Sequence, residues 1–228
     1  QNSVFQWIYD NKEKGNLNQV FLDSCASNNL FAAMFLIQEC NIDINFVDDE
    51  GEGCLHYAAK YGSNDVLRLL LSLKDINVNS GEGNRTPLDI AAISGLIETV
   101  DLMITKGAEY GIKLNEIDRT GRTPFGNAVQ FSHLQLVKEM AKNESIDINK
   151  GDFSPIQEAI KKDFSPIVEF ILTKDKIDLT VKDENEETLL HLASISQKSD
   201  SLHYLLQKES VYNQLKIKDI DGNTPLHC

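Results

Sequence analysis

One short phrase recurs along this chain and constrains its fold more than any other feature. The phrase is TPLD at residues 86–89, and it returns as TPFG at 123–126, TLLH at 188–191 and TPLH at 224–227. A second phrase, a variant of Ile-Asp-Ile-Asn, keeps step with the first at 42–45, 76–79, 112–115, 146–149 and 177–180. Two phrases in fixed phase, at a period of roughly 33 residues, indicate an array of repeated units instead of one globular core.

The first phrase has the chemistry of a helix start. A Thr side chain at the N-cap accepts a hydrogen bond from an orphan backbone N–H, and Pro at the first helical position has no N–H to lose. Thr86, Thr123 and Thr224, each followed by Pro, therefore predict three helix starts. Small residues such as Ala58 and Ala91 follow one turn later, where a partner helix must come close. Apolar residues spaced 3.6 apart after each short helix predict that partner.

The Thr-Pro-Leu-His-x-Ala phrase at this period resembles the ankyrin repeat, a turn followed by two antiparallel helices. The match is densest at residues 48–79. The resemblance implies an all-α repeat solenoid of about six to seven helix-turn-helix units with short β-hairpin fingers, the last unit truncated. We expect residues 17–228 to form this repeat domain, incomplete at its C-terminus. Residues 1–16 fit either half of a degenerate repeat or the end of a preceding domain.

Composition excludes several classes of function. A formal net charge of −13 disfavours a nucleic-acid surface, which needs clustered Lys and Arg, and favours a protein partner with basic and apolar character. No apolar run approaches the ~18 residues of a membrane span, so direct membrane insertion is not expected. The cysteines show no C-x-x-C spacing, which is typical of reduced thiols in the cytoplasm or nucleus. They are Cys25, Cys40, Cys54 and Cys228.

The histidines do not predict a metal or catalytic site. His56, His191 and His227 occupy the motif's own His position, where the resemblance implies hydrogen bonds that tie neighbouring turns together. No second ligand recurs around them at zinc spacing. The abundant carboxylates fall in turns and not in a pocket suited to acid–base chemistry. The sequence therefore predicts no enzyme activity, no metal and no cofactor.

The resemblance also implies a binding surface. Family positions on the inner side of the first helices map onto apolar and aromatic residues that we expect to form a groove with an acidic rim, unless long fingers shield it. The groove comprises Tyr57, Lys60, Tyr61, Ile90, Ile93, Asn127, Gln130 and Phe131, and the rim comprises Asp48, Asp49, Glu50, Glu82 and Asp118.

These positions predict a protein–protein interaction module. Two alternatives stay open. The array could be a structural or autoinhibitory arm that regulates another domain of the same full-length chain, such as a channel, a GTPase regulator or an enzyme. The irregular loops at 107–111 and 209–213 could replace the groove as the binding site. The short finger near residues 149–155 further predicts a weak junction in the array.

Overall fold

The computed structural model describes residues 17–81, 85–195 and 199–228, and the chain forms two compact units, 1–119 (unit 1) and 120–228 (unit 2). The division falls between residues 119 and 120, away from the junction predicted near 149–155. The predictions for residues 1–16 and Glu82 fall outside the described residues. Regular structure in the described ranges is helical, which confirms an all-α repeat solenoid.

Six helix pairs occupy the described ranges. In unit 1 they are α1 (Leu17–Ala26) with α2 (Leu30–Glu39), α3 (Cys54–Tyr61) with α4 (Asn64–Leu70), and α5 (Pro87–Ile93) with α6 (Ile97–Gly107). In unit 2 they are α7 (Pro124–Gln130) with α8 (Leu134–Met140), α9 (Pro155–Lys161) with α10 (Ser165–Leu172), and α11 (Leu189–Ile195) with α12 (Ser199–Leu206). Short 3₁₀ helices follow α6 at Ala108–Tyr110 and α12 at Glu209–Lys216.

The first helix of a pair begins where its sequence predicts in α5 and α7. The Thr86 side chain accepts the Asp89 backbone N–H at 3.2 Å, and the Thr123 side chain accepts that of Gly126 at 3.2 Å. Pro87 and Pro124 stand in the first turn of α5 and α7. The third predicted start differs, because Thr224 is followed by a single turn at residues 225–227.

Each of the five turns between paired helices that the structure describes places one residue in the left-handed region. Glycine occupies this position as Gly62 (φ 67°) and Gly95 (φ 70°), whereas Asn28 (φ 52°), Ser132 (φ 59°) and Asp163 (φ 60°) take its place elsewhere. Asn and Asp tolerate this conformation better than other side chains do. Asn28 therefore takes the place of glycine at this turn with less strain than most other side chains would bring.

Asparagine side chains join successive loops within each unit. The Asn45 amide donates to the Asp75 carbonyl at 2.8 Å and accepts the Asn77 N–H at 2.8 Å. Asn149 makes the same pair of bonds, with the Lys176 carbonyl and the Asp178 N–H. The Ile-x-Ile-Asn phrase thus ends on a residue that satisfies backbone groups of the following repeat.

Packing of the first helices forms the core. The motif Leu position is 0–1% exposed in every described helix pair after the first, as Leu55, Leu88, Phe125, Ile156 and Leu190. The predicted β-hairpin fingers are slighter than expected, since the described residues form only isolated bridges there, such as Val47 with Gly53. None of the helices in these ranges is long and apolar enough to cross a bilayer.

The short finger of unit 2 is tied to the loop that precedes α7. The Asp152 N–H donates to the Gly121 carbonyl at 2.8 Å, and Arg122 forms a backbone bridge with Gly151. The Arg122 guanidinium lies 5.0 Å from the centre of the Phe153 ring and 3.1 Å from a Glu158 carboxylate oxygen. Sequence reasoning missed this cluster, although Glu158 carries a charge at the position that Tyr57 occupies in α3.

Candidate functional site

The finger turn at residues 47–53, which we call the first finger, is organised by Asp48. Its carboxylate accepts the backbone N–H groups of Glu50 and Glu52, each at 2.9 Å, and the Tyr57 hydroxyl at 2.8 Å. Partial burial acts to raise the pKa of Asp48, but these hydrogen bonds outweigh it and lower the pKa below its usual value. Asp48 was predicted as a rim charge for a partner, and the structure places it as the acceptor that closes the turn.

Two side chains of α3 hold the first finger in place. The hydrogen bond to Asp48 fixes Tyr57 and raises the pKa of its hydroxyl to about 12. The Lys60 ammonium lies 3.4 Å from a Glu52 carboxylate oxygen, and its side chain remains 44% exposed. Because one end of each contact is on the helix and the other on the finger, the finger is oriented before any partner arrives.

The most accessible groups of this surface are one aromatic ring and two carboxylates. Tyr61 ends α3 with 59% of its surface exposed, and Asp49 and Glu50 are exposed on the first finger. Among the described residues neither carboxylate forms an ion pair. We use the name α3 surface for Tyr57, Lys60, Tyr61, Asp49 and Glu50.

Three other predicted members of the groove and rim are buried. Ile90 is 8% exposed and Asn127 is 1% exposed, so both belong to the packing of their first helices. Asp118 is 5% exposed, and its carboxylate lies 3.8 Å from Arg85 Nε. The fold therefore removes these side chains from the surface. Ile93 remains half-buried, beside the exposed Ser94.

The remaining predicted groove residues lie in unit 2. Phe131 is 47% exposed and stacks on His133, with ring centres 6.4 Å apart, while Gln130 is half-buried. Further along the unit, Lys161 lies 3.0 Å from Asp183 and Lys162 lies 3.9 Å from Glu158. Lys162 thus pairs with a carboxylate at the position that Tyr61 occupies in α3, whereas Lys161, like Lys60 in α3, pairs with a finger carboxylate.

The motif histidines link neighbouring turns. The Gly53 N–H donates to His56 Nδ1 at 2.9 Å, so His56 Nε2 carries the proton and donates to the Arg85 carbonyl at 2.9 Å. Burial lowers the pKa of His56 and favours this neutral form. His191 makes equivalent contacts with Thr188 and Asn223. The structural role predicted for both histidines is confirmed.

The residues near the α3 surface do not form a site suited to a charged small ligand or a metal ion. A pocket of about 250 Å³ lies beside the first finger and is lined by Glu50, Gly51, Glu52, His56, Arg85 and Arg119. Two carboxylates and two guanidinium groups largely cancel in charge, which favours neither a cation nor an anion. Within the part of the chain that the structure describes, no group of three or more His, Cys, Asp or Glu is placed to hold a metal ion.

Comparison with known proteins identifies the repeat. The family model for ankyrin repeats (3 copies) matches residues 22–114 and 110–183. Rabankyrin-5 of Mus musculus is 26% identical over 194 residues, which cover 77% of this chain and 16% of that protein. Ankyrin repeat protein nuc-2 of Neurospora crassa is 29% identical over 160 residues, covering 68% of this chain and 15% of the relative.

A further relative is named as an enzyme. Palmitoyltransferase AKR1 of Lachancea kluyveri is 27% identical over 208 residues, which cover 90% of this chain and 23% of that protein. The chain thus spans less than a quarter of the length of each of these relatives.

Proposed function

Since the chain belongs to the ankyrin repeat family, whose repeats generally serve as protein–protein interaction modules, we propose that it binds a partner protein through the α3 surface. The observation that carries this proposal is the exposure of Tyr61, 59%, at the end of a helix whose neighbours fix an acidic finger. A rigid aromatic side chain gains contact area at little conformational cost, which is why Tyr is frequent at binding hot spots.

The charge of this surface favours a basic, partly apolar partner segment. Asp49 and Glu50 stand exposed on a finger whose own hydrogen bonds keep Asp48 ionised. A partner Lys or Arg could place its aliphatic stem on Tyr61 and its charge near these carboxylates. Such charges mainly steer association, whereas the buried ring supplies most of the affinity.

Two residues of unit 2 are secondary candidates for contact with a partner. Gln130 and Phe131 were predicted for the same groove, and Phe131 presents an exposed ring. Ile90, Asn127 and Asp118 no longer belong to it because they are buried. Glu82 stays a predicted rim residue outside the described part of the chain.

Affinity capture with matched variants tests the α3 surface. We expect Tyr61→Ala to weaken partner binding by more than about 2 kcal/mol, as at other central aromatic anchors. The control is Tyr212→Ala, because Tyr212 is 49% exposed but lies in the 3₁₀ helix of unit 2. Equal retention of partner proteins by both variants would contradict the proposal.

A second pair of matched variants tests the carboxylates of the first finger. Glu50→Lys should slow association at low salt and matter little at high salt, because screening removes long-range attraction between exposed charges. Glu184→Lys changes a carboxylate that is likewise exposed on a finger turn, but in unit 2, and should leave the association rate nearly unchanged. Equal effects of the two variants would mean that net charge, and not the first finger, guides the partner.

A second candidate function is regulation of another domain of the same full-length protein. The length of the relatives favours it, since three of them are at least four times longer than the matched segment. In that case the α3 surface would bind a segment of its own chain. Tyr61→Ala in the full-length protein would then change the activity of the other domain without any added partner.

A further inference from the structure

Three finger turns in the described ranges are closed by an Asp side chain in the same way. The Asp carboxylate accepts the backbone N–H groups of the residues two and four positions later, at 2.8–3.0 Å. The three are Asp48 in the first finger, Asp183 in the turn before α11, and Asp219 in the turn at residues 219–223. The side chain at the fourth position after the Asp differs between them, as Glu52, Glu187 and Asn223.

Two of the side chains at the fourth position have a partner that suits their charge. The Glu52 carboxylate lies 3.4 Å from the Lys60 ammonium. Asn223 is neutral, and its amide donates to the Asp219 carboxylate at 3.4 Å. A carboxylate at this position is thus matched by a cation, and a neutral group acts as a donor to the Asp.

Glu187 has neither arrangement. Lys161 holds the place in α9 that Lys60 holds in α3, but its ammonium lies 3.0 Å from Asp183. The Glu187 carboxyl group lies close enough to that of Asp183 for a hydrogen bond. Among the described residues it forms no ion pair of its own. Such a contact between two carboxyl groups requires one of them to carry a proton.

We propose that Glu187 keeps a proton that it donates to the Asp183 carboxylate, which makes closure of the turn at 183–187, which we call the α11 finger, sensitive to pH. Glu is a hydrogen-bond donor only when it is protonated. The protonated side chain then makes the same kind of contact as the Asn223 amide makes with Asp219. When the proton leaves, two negative charges face each other in the α11 finger and weaken its closure.

The surroundings decide which of the two carboxyl groups keeps the proton. Partial burial and the Asp183 carboxylate raise the pKa of Glu187 above its ordinary value. Partial burial also acts to raise the pKa of Asp183, but hydrogen bonds from Lys161 and from the finger backbone outweigh it and lower that pKa. The proton therefore resides on Glu187.

Other charged groups around Glu187 are compatible with this proton. The Asp219 carboxylate of the next turn acts to raise the pKa of Glu187, whereas the Lys161 ammonium acts to lower it. Burial and the carboxylates of Asp219 and Glu187 raise the pKa of the Cys228 thiol, which stays neutral at acidic pH. His191 acts on Asp219 and stays unchanged in the variants described below.

The sign of the pH dependence follows from the raised pKa of Glu187. The folded chain binds this proton more tightly than the unfolded chain does, so the proton stabilises unit 2. The stabilisation is complete below the ordinary Glu pKa of 4.5 and is lost as the pH rises through the higher pKa of folded Glu187. Asp183 has a lowered pKa and is ionised in both states above about pH 5, so it does not contribute there.

NMR titration of the side-chain carboxyl carbons tests the shared proton in the wild-type protein. Glu187 should titrate above pH 4.5 and Asp183 below pH 3.8. Asp183→Asn removes the neighbouring charge and should shift the titration of Glu187 back towards pH 4.5. Titration of Glu187 at or below pH 4.5 in the wild-type protein would overturn the proposal.

Matched variants test the link to closure of the α11 finger, with urea unfolding followed by the NMR signals of α11. Glu187→Gln supplies a permanent neutral donor, so unit 2 should be more stable at pH 7 and its stability should vary less between pH 5 and pH 7. Glu184→Gln is the control, because it removes an exposed carboxylate of the same turn and leaves the contact between Glu187 and Asp183 in place. Equal effects of the two variants would assign the change to net charge and refute the proposal. A pH dependence that Glu187→Gln leaves unaltered would refute it as well.

Discussion

Unit 1 and unit 2 are built from the same repeat but compensate their acidic side chains differently. Residues 17–119 contain sixteen Asp and Glu against seven Lys and Arg, whereas residues 120–228 contain seventeen against thirteen. In unit 2 the finger carboxylate of Asp183 binds the Lys161 ammonium at 3.0 Å. In unit 1 the corresponding Asp48 binds a neutral hydroxyl, that of Tyr57. The same turn geometry is therefore stabilised by a neutral hydroxyl at Asp48 and by an ammonium group, which compensates the negative charge, at Asp183.

The helices also differ in the contacts around the motif His position, and they do so within unit 2 itself, where His191 of α11 has partners for both ring nitrogens. His56 in unit 1 has partners for both ring nitrogens. In unit 2 the same position of α9 is Gln157, whose side-chain nitrogen is buried without a hydrogen-bond partner, as is the Ser154 hydroxyl at the N-cap. Unpartnered buried polar groups cost stability. A local weakness therefore lies in α9, close to the junction that the sequence predicts.

The largest expected effect concerns the contact between His56 and Arg85. Gly81 has φ 80°, and a Cβ there would lie 2.3 Å from the Arg85 carbonyl oxygen and 2.8 Å from His56 Nε2. Gly81→Ala should lower the free energy of unfolding by about 3 kcal/mol or more, since backbone strain and displacement of a buried contact add. Urea unfolding followed by circular dichroism measures the loss.

Gly51→Ala is the control for that substitution. Gly51 has φ 81°, and a Cβ there meets nothing within 4 Å, so only the strain of the left-handed conformation remains. We expect a loss of about 1 kcal/mol. Equal losses for the two variants would show that the His56 contact with Arg85 is not tight.

The dependence of stability on pH should also distinguish unit 1 from unit 2. Burial lowers the pKa of His56 in the folded protein below 6.5. The stabilisation that the neutral His56 side chain provides is therefore fully present above pH 6.5. Below that pH the unfolded chain binds a proton more readily than the folded one, and stability falls by at most about 1.4 kcal/mol per pH unit. His56 is the only histidine in residues 1–119.

Stability of unit 1 between pH 7 and pH 5, followed by the exposure of its buried thiols, measures this dependence. His56→Gln should be less stable at pH 7 and should lose much of the slope above pH 5. A slope unchanged in the variant would assign the pH dependence to other groups.

The smallest effect is a gain of stability in unit 2. Ser154→Thr combined with Gln157→His should restore in α9 the contacts that Thr188 and His191 make in α11. We expect a gain of about 1 kcal/mol, typical of satisfying buried polar groups. The reverse exchange, Thr188→Ser with His191→Gln, should cost a similar amount. No gain from the first pair and no loss from the second would show that these contacts do not distinguish α9 from α11.

Local sequence was sufficient for much of the fold. Thr86 and Thr123 cap helices because capping depends on a few adjacent residues. Asn28 adopts the left-handed conformation because its own side chain tolerates it. The fingers were less predictable, since the described residues form bridges where hairpin strands were expected.

The candidate site was predicted only in part. Tyr61, Asp49 and Glu50 are exposed as expected, but Ile90, Asn127 and Asp118 are buried. Family positions indicate which side of a helix a residue occupies, yet they do not indicate how closely the neighbouring loops cover it.

The sequence by itself determined the repeat, its period, the helix starts and the left-handed turns, because each depends on residues within one or two turns of chain. The tertiary structure alone decided which side chains a partner can reach. That decision depends on contacts between residues some 30 positions apart, such as His56 with Arg85 and Asn45 with Asp75. These contacts join each repeat to the next, whereas the closing of the first finger by Asp48 depends on partners within nine residues of it.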